Sequence, residues 1–196
     1  AGVPAGAEVK VEQLTHDFFF GAHIFNFDQL GKKEYNERYK ALYGTLFNSA
    51  TIAFYWKKFE LEPGKPRFSP AEWDSEAYWD NAKDPKSEPH WRRPAADHIV
   101  AFCESKGVRM HGHNMIWGNR KWHHPEWLFE QFCPAEEKSK IEALGKSGLD
   151  KLTPAQIEAL APTYAKEMRR LFEKRVVELV EHYGGRLQSW DIVNES

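Results

Sequence analysis

The chain is poor in several features, and each shortage removes a class of function. Only two of its 196 residues are cysteine, Cys103 and Cys133; two cannot make a disulfide framework, and their spacing fits no zinc motif. Charge of one sign never accumulates: 27 Lys and Arg face 29 Asp and Glu, a net charge of -2. Nucleic acid and anionic membrane surfaces therefore find no basic stripe, and the expected ligand is uncharged or weakly charged. No apolar run reaches the ~20 residues of a membrane span. The opening "AGVPAGAEVKV" has neither an initiator methionine nor a basic-then-apolar leader, so the N-terminus is expected to be either processed or artificially cut. A glycine-rich phosphate loop is missing too, since "GAHIFNF" does not make one.

Aromatic residues are what the chain has in quantity: 8 Trp, 7 Tyr and 13 Phe. The face of a Trp ring suits the C–H face of a sugar, whose hydroxyls can then point to polar neighbours. Core filling accounts for any single one of them equally well.

Along the chain, residues 7–13 alternate with period two and predict a strand, and "HDFFFGAHI" predicts a second apolar one. Tyr35, Tyr39, Leu42 and Leu46 then fall at helical spacing, and "FNSATIAFYW" reads as a β-branched and aromatic strand. Three prolines in "ELEPGKPRFSPAEW" demand a loop, which opens a polar, Trp-rich excursion over about 69–94. A helix starts near Pro94, with Ala95, Ile99, Val100 and Cys103 on one face and Gly107 as its stop. "VRMHGHNMIW" is the next strand. A second excursion, about 118–165, contains a short helix capped by Thr153, Pro154 and Gln156. Met168, Leu171, Phe172, Val176, Leu179, Val180 and Tyr183 mark the buried stripe of a long helix that ends at Gly184-Gly185, before the strand "RLQSWDIV".

Strand and helix thus alternate four times, with no fourth helix. Repeated βα units predict an α/β fold with a parallel sheet, and four units match half of a (β/α)8 TIM barrel, normally about 250 residues. The chain is expected to be the N-terminal half of one such barrel, residues 1–196, enlarged by the two excursions. Left alone, it would keep unpaired apolar strand edges, so a further segment or a second chain is expected to complete it.

In such barrels chemistry gathers at the C-terminal ends of the strands. Those ends carry His23 and Asn26, Lys57, His111 and His113, and the pair Asn194-Glu195. A carboxylate beside an amide can serve as general acid or base while the amide binds a substrate hydroxyl. Retaining glycoside hydrolysis needs in addition a nucleophilic carboxylate about 5–5.5 Å away. Trp190 and Asp191 are expected to be structural.

The segments "HDFFFG", "FNSATIAFYWKKFELEPG", "PAADHIVAFCESKGVRMHGHNMIW", "HPEW" and "YGGRLQSWDIVNE" resemble, in order and spacing, glycoside hydrolase family 10, the endo-β-1,4-xylanases. The resemblance implies a retaining hydrolase of xylan or a related β-glycan, with Glu195 as the acid/base and Asn194 holding the hydroxyl next to the scissile bond. Lys57, His113 and Trp117 would line the subsite where the sugar is cleaved. The nucleophile would come from a seventh strand outside this chain. No cofactor and no metal are implied, and the usual location of such enzymes is secreted, periplasmic or at the cell surface.

Departures from the family pattern are Ala53 and Phe54 where Glu-Asn is usual, Gly118 in place of a His, and Arg120 in place of a Gln. Trp73, Trp79, Trp91, Trp122 and Trp127 in the excursions could stack on sugars, although burial beneath a loop is the commoner fate of such residues. Two rival readings remain open: a catalytically degenerate barrel that binds carbohydrate, and a metal-dependent hydrolase using His111 and His113, with His123-His124 as a further pair.

Overall fold

A computed structural model describes residues 2, 4–14, 16–69, 94–145 and 148–195. Its first regular element is a short strand, β1 (Gly21–His23), followed by α1 (Lys33–Leu46), β2 (Ser49–Ala53) and the one-turn α2 (Trp56–Phe59). After the undescribed segment come α3 (Ala96–Lys106), β3 (Arg109–His113) and β4 (Ile116–Trp117). The chain continues through α4 (Glu126–Phe132), α5 (Ala135–Ala143), a 3-10 turn (Leu149–Lys151), α6 (Pro154–Leu160) and α7 (Pro162–Tyr183), and finishes with β5 (Ser189–Trp190) and β6 (Val193–Asn194).

Four strands form one parallel sheet in the order β1-β2-β3-β5. Spatial order follows chain order, with none of the reversal that defines a doubly wound sheet. The register sets His23 beside Thr51, Thr51 beside His111, and His111 beside Ser189, so these four lie in one row across the sheet. β4 and β6 pair in parallel just beyond, Ile116 with Val193 and Trp117 with Asn194. Between the two sheets the ladder is carried across by Met115 N–H to Asp191 O and Ile116 N–H to Ile192 O, both 3.0 Å.

One face of the sheet is the core. Ala50, Ile52 and Met110 pack there against Tyr43 of α1, Ile99, Val100 and Cys103 of α3, and Leu179 and Tyr183 of α7. The opposite face carries Thr51, His111, His113 and Ser189, half-buried and polar. Helices on one side and a polar row on the other are what one wall of a barrel requires. A second cluster, built on Trp56, Trp127, Leu128, Ile141, Tyr164 and Leu171, holds α4, α5 and the start of α7 beside the strand ends.

The stop signals act as expected. Gly107 is left-handed (φ 63°) and its N–H closes α3, and Thr153 and Gln156 form a reciprocal capping box on α6. The long strands are shorter than expected: "VRMHGHNMIW" breaks at Asn114 and "RLQSWDIV" at Asp191. Two expectations fail, over residues 7–13 and on α7. Residues 7–13 form no strand, and Val11 is 87 % exposed; alternation becomes a strand only where a neighbour supplies hydrogen bonds. The helix α1 forms where the spacing predicts it, with Tyr35 and Leu46 48 % and 61 % exposed and Asn36 and Tyr43 buried. Polar anchoring decides that face: the Tyr43 hydroxyl donates to Ala22 O (2.5 Å) and Ser49 O (3.2 Å), and Asn36 accepts from Leu30 N–H (2.9 Å). On α7, Val180 is exposed and the stripe includes a buried Arg175. The expected Trp-rich excursion, with Trp73, Trp79 and Trp91, lies almost wholly outside the described residues.

Candidate active site

Two residues apart on a strand means one face. His111 and His113 therefore point the same way from β3, and Ser189 and Asp191 do so from the neighbouring strand. His113 Nδ1 lies 2.7 Å from Asp191 Oδ2, His111 Nε2 is 3.3 Å from the same oxygen, and His111 Nδ1 is 2.9 Å from Ser189 Oγ. The His113 hydrogen bond, above all, holds the Asp191 carboxyl below its ordinary value. Asp191 thus belongs to the polar face itself, whereas Trp190 is structural as expected, packed on Phe54 and Tyr183. Gly112 makes room for that ring: a Cβ there would sit 2.2 Å from Trp190 Cε3.

An aromatic rim borders this cluster. Tyr55, just past β2, meets His113 edge-on (5.4 Å, 87°) and lies 6.2 Å from Trp117 and 5.9 Å from Phe25, which in turn is 4.7 Å from His23. Trp117 stands opposite Asn194 in the β4–β6 register. Glu195 follows, exposed, with a left-handed φ of 44° that side chains adopt rarely. His113, Trp117, Asn194 and Glu195 are thereby gathered at adjoining strand ends.

Lys57 faces elsewhere. On α2, its Nζ is 2.9 Å from Glu126 Oε1 and 3.5 Å from Lys121 O, and this contact holds the Glu126 carboxyl low. A cavity of about 970 Å³ opens beside Lys57, and Glu195 does not line it.

His123 and His124 do not form a ligand pair. His123 is fully buried, with Nδ1 3.5 Å from Trp56 N–H, and burial followed by the Arg175 charge pushes it down to about 2. His124 donates from Nε2 to Trp117 O (3.1 Å), and burial pushes it down to about 4. Among the described residues, no group of three His, Cys, Asp or Glu side chains is placed to hold a metal ion. Cys103 and Cys133 are buried free thiols, that of Cys103 pushed up to about 12 by burial.

Beneath the strand ends lies Arg175, 3 % exposed. Its Nε donates to Met115 O (2.9 Å) and its Nη2 to Phe54 O, with Asn114 O at 3.5 Å. The guanidinium rests over Trp56 and Phe59 at 5.5 and 5.3 Å. Burial lowers it to about 9, against the opposing pull of Glu60, so it stays charged at neutral pH. One buried cation thus ties α7 to the carbonyls that end β2 and β3.

The family model described as Glycosyl hydrolase family 10 matches residues 13–196. The chain belongs to glycosyl hydrolase family 10. Curated relatives of this family 10 chain include Endo-1,4-beta-xylanase A of Halalkalibacterium halodurans, 28 % identical over 120 residues, covering 59 % of this chain and 26 % of the relative. Endo-1,4-beta-xylanase A of Thermotoga neapolitana is 24 % identical over 106 residues, 54 % of this chain and 7 % of the relative. The chain spans about a quarter or less of the length of these relatives. Among solved structures, a thermostable mutant of a xylanase from Cellvibrio japonicus superposes with a TM-score of 0.50 at 15 % identity, over 92 % of this chain and 35 % of that one. That likeness concerns the fold: the family 10 chain carries four strand-led units of an α/β, (β/α)8 barrel.

Reading the sequence singled out His113, Trp117, Asn194, Glu195 and Lys57, and passed over Tyr55, Glu126 and Arg175. For Asp191 a signal existed: Ser-x-Asp on one strand has the same two-residue spacing as His-x-His on its neighbour. Arg175 had none, since one charged residue in an apolar helical stripe reads as an exposed position.

Proposed function

We propose that the protein to which this family 10 chain belongs is a retaining endo-β-1,4-glycanase acting on xylan. Glu195 is its general acid/base, and the nucleophilic carboxylate comes from outside this chain. The observation that carries the reading is the row at the strand ends, where the His113–Asp191 hydrogen bond, the Tyr55–Trp117 rim and the Trp117–Asn194 pairing adjoin Glu195. It is supported by the names of the curated relatives, endo-1,4-β-xylanases.

In this reading Glu195 protonates the glycosidic oxygen as the bond breaks, then takes a proton from the water that releases the glycosyl intermediate. Asn194 holds the adjacent hydroxyl. Trp117 and Tyr55 offer ring faces to the sugar. The Asp191 carboxylate can only accept, so it fixes the proton of His113 on Nδ1 and leaves Nε2 free to accept from a sugar hydroxyl. Lys57, turned toward Glu126, takes no part in this step. No step needs a cofactor or a metal. The chain acts as the N-terminal half of one barrel, with insertions at about 69–94 and 118–165, completed by a further segment or a second chain, in an enzyme exported to meet its polymer. No helix among the described residues is long and apolar enough to cross a membrane.

A barrel that binds carbohydrate without cutting it is the second reading. Its support is Phe54, fully buried against Tyr183 and Trp190: with Ala53 it removes polar groups where the family commonly has Glu-Asn. One assay separates the two. Product release from xylan and from mixed-linkage β-glucan is measured for the complete protein and for Glu195→Gln. Xylo-oligosaccharides from the wild type, with a loss of about 10²-fold or more in the variant, are expected; a fully active Glu195→Gln, or a wild type inert on every β-glycan, sinks the hydrolase assignment.

A further inference from the structure

The 970 Å³ cavity beside Lys57 is at the upper end of the ~300–1,000 Å³ typical of small-molecule sites. Lys57 and the loop after β4 form one wall, and α5 with the 3-10 turn forms another. It therefore lies on the face of the sheet ends, walled by the second excursion.

Lys57, Arg120 and Lys121 share the lining with Glu126, Glu130 and Glu142, but two of these carboxylates are already paired. Glu126 is taken by Lys57 at 2.9 Å, and Glu130 by Lys138 at 2.5 Å. Arg120 and Lys121 also line the cavity and pair with no carboxylate among the described residues; the acidic group left to oppose these two cations is Glu142. The Arg120 guanidinium lies 4.1 Å above the ring of Phe129, which is itself buried in the Trp56–Trp127 cluster. Stacking on a fixed ring holds the guanidinium plane while leaving its N–H edge free. A planar fork so held matches a carboxylate, which can accept two parallel hydrogen bonds. Lys121 Nζ, 4.4 Å over Trp122, adds charge beside it.

We infer that this cavity is a subsite for a carboxylate-bearing sugar, a uronate unit or branch of the glycan, held by Arg120 against Phe129. The inference rests on the glycan-cleaving reading for the identity of the main chain, and extends it to a decorated substrate.

The test uses the complete protein and ligand-observed NMR with D-glucuronate and D-glucose, which share a ring and differ in the carboxylate. Glucuronate is expected to bind with roughly tenfold preference or more, as a charge-assisted bidentate contact implies. Arg120→Met is expected to abolish the preference and Glu142→Gln to widen it, opposite effects that a folding defect does not produce. Absence of glucuronate binding, equal binding of the two sugars, or a preference that survives Arg120→Met overturns the inference. Monosaccharide binding needs no bond cleavage, so an enzyme inert on xylan and a cavity indifferent to charge are separate, recognisable failures.

Discussion

Acidification from pH 8 to pH 5 should destabilise the fold through two buried imidazoles. His123 and His124 have ordinary values of 6.5 and are pushed down to about 2 and about 4 by burial. A base whose folded value lies below its unfolded one stays neutral in the fold while the unfolded chain takes up the proton. Stability is therefore intact above about pH 6.5 and falls as the pH drops below it, until the folded group also titrates. At pH 5 each imidazole is about 1.5 pH units into that window, which at about 1.4 kcal/mol per unit is about 2 kcal/mol each and about 4 together. That is a large part of the ~5–15 kcal/mol that keeps a domain folded. Asp191, held low by His113 and His111, acts in a different window: its contribution is full above the ordinary carboxylate value and is lost only at lower pH. The assay is urea unfolding of the complete protein at half-unit steps from pH 8 to 5, repeated with His124→Gln, whose amide can still donate to Trp117 O. The variant isolates one imidazole from all others and should recover about 2 kcal/mol of the loss. A stability flat across this range, or a slope unchanged in the variant, would refute the reasoning.

Arg175→Met leaves the carbonyls of Phe54 and Met115 without their donor; at ~1–3 kcal/mol per orphaned buried group, a loss of about 2–6 kcal/mol is expected in thermal or urea unfolding. Gly112→Ala drives a Cβ into the Trp190 ring, and about 1–3 kcal/mol of overpacking with altered Trp fluorescence should follow; a variant as stable as the parent contradicts the packing described. Thr153→Ala removes one half of the α6 capping box and should cost about 1 kcal/mol locally, read as faster amide exchange over residues 154–160 with little change in β3.

Much of the architecture was legible because its signals are local. Gly107 stops α3 by a left-handed backbone that needs no partner, and the Thr153 box closes between residues three apart. The α3 stripe was read correctly because an apolar face shows in spacing alone. On α1 spacing located the helix but not its buried face, which two polar anchors, Tyr43 and Asn36, set while Leu42 and Leu46 stay exposed. Residues 7–13 misled for the opposite reason: their alternation is local, but a strand also needs a neighbour.

The sequence by itself determined the order of the βα units, their stops and caps, and the strand-end identity of His113, Trp117, Asn194 and Glu195, because period, punctuation and motif are properties of short stretches. Tertiary structure decided which of these groups meet. His113 finds Asp191 across 78 residues, Lys57 finds Glu126 across 69, and Arg175 reaches Phe54 across 121. Such pairings follow from strand register and helix docking, which fix where a side chain's partner lies only once the whole chain has packed.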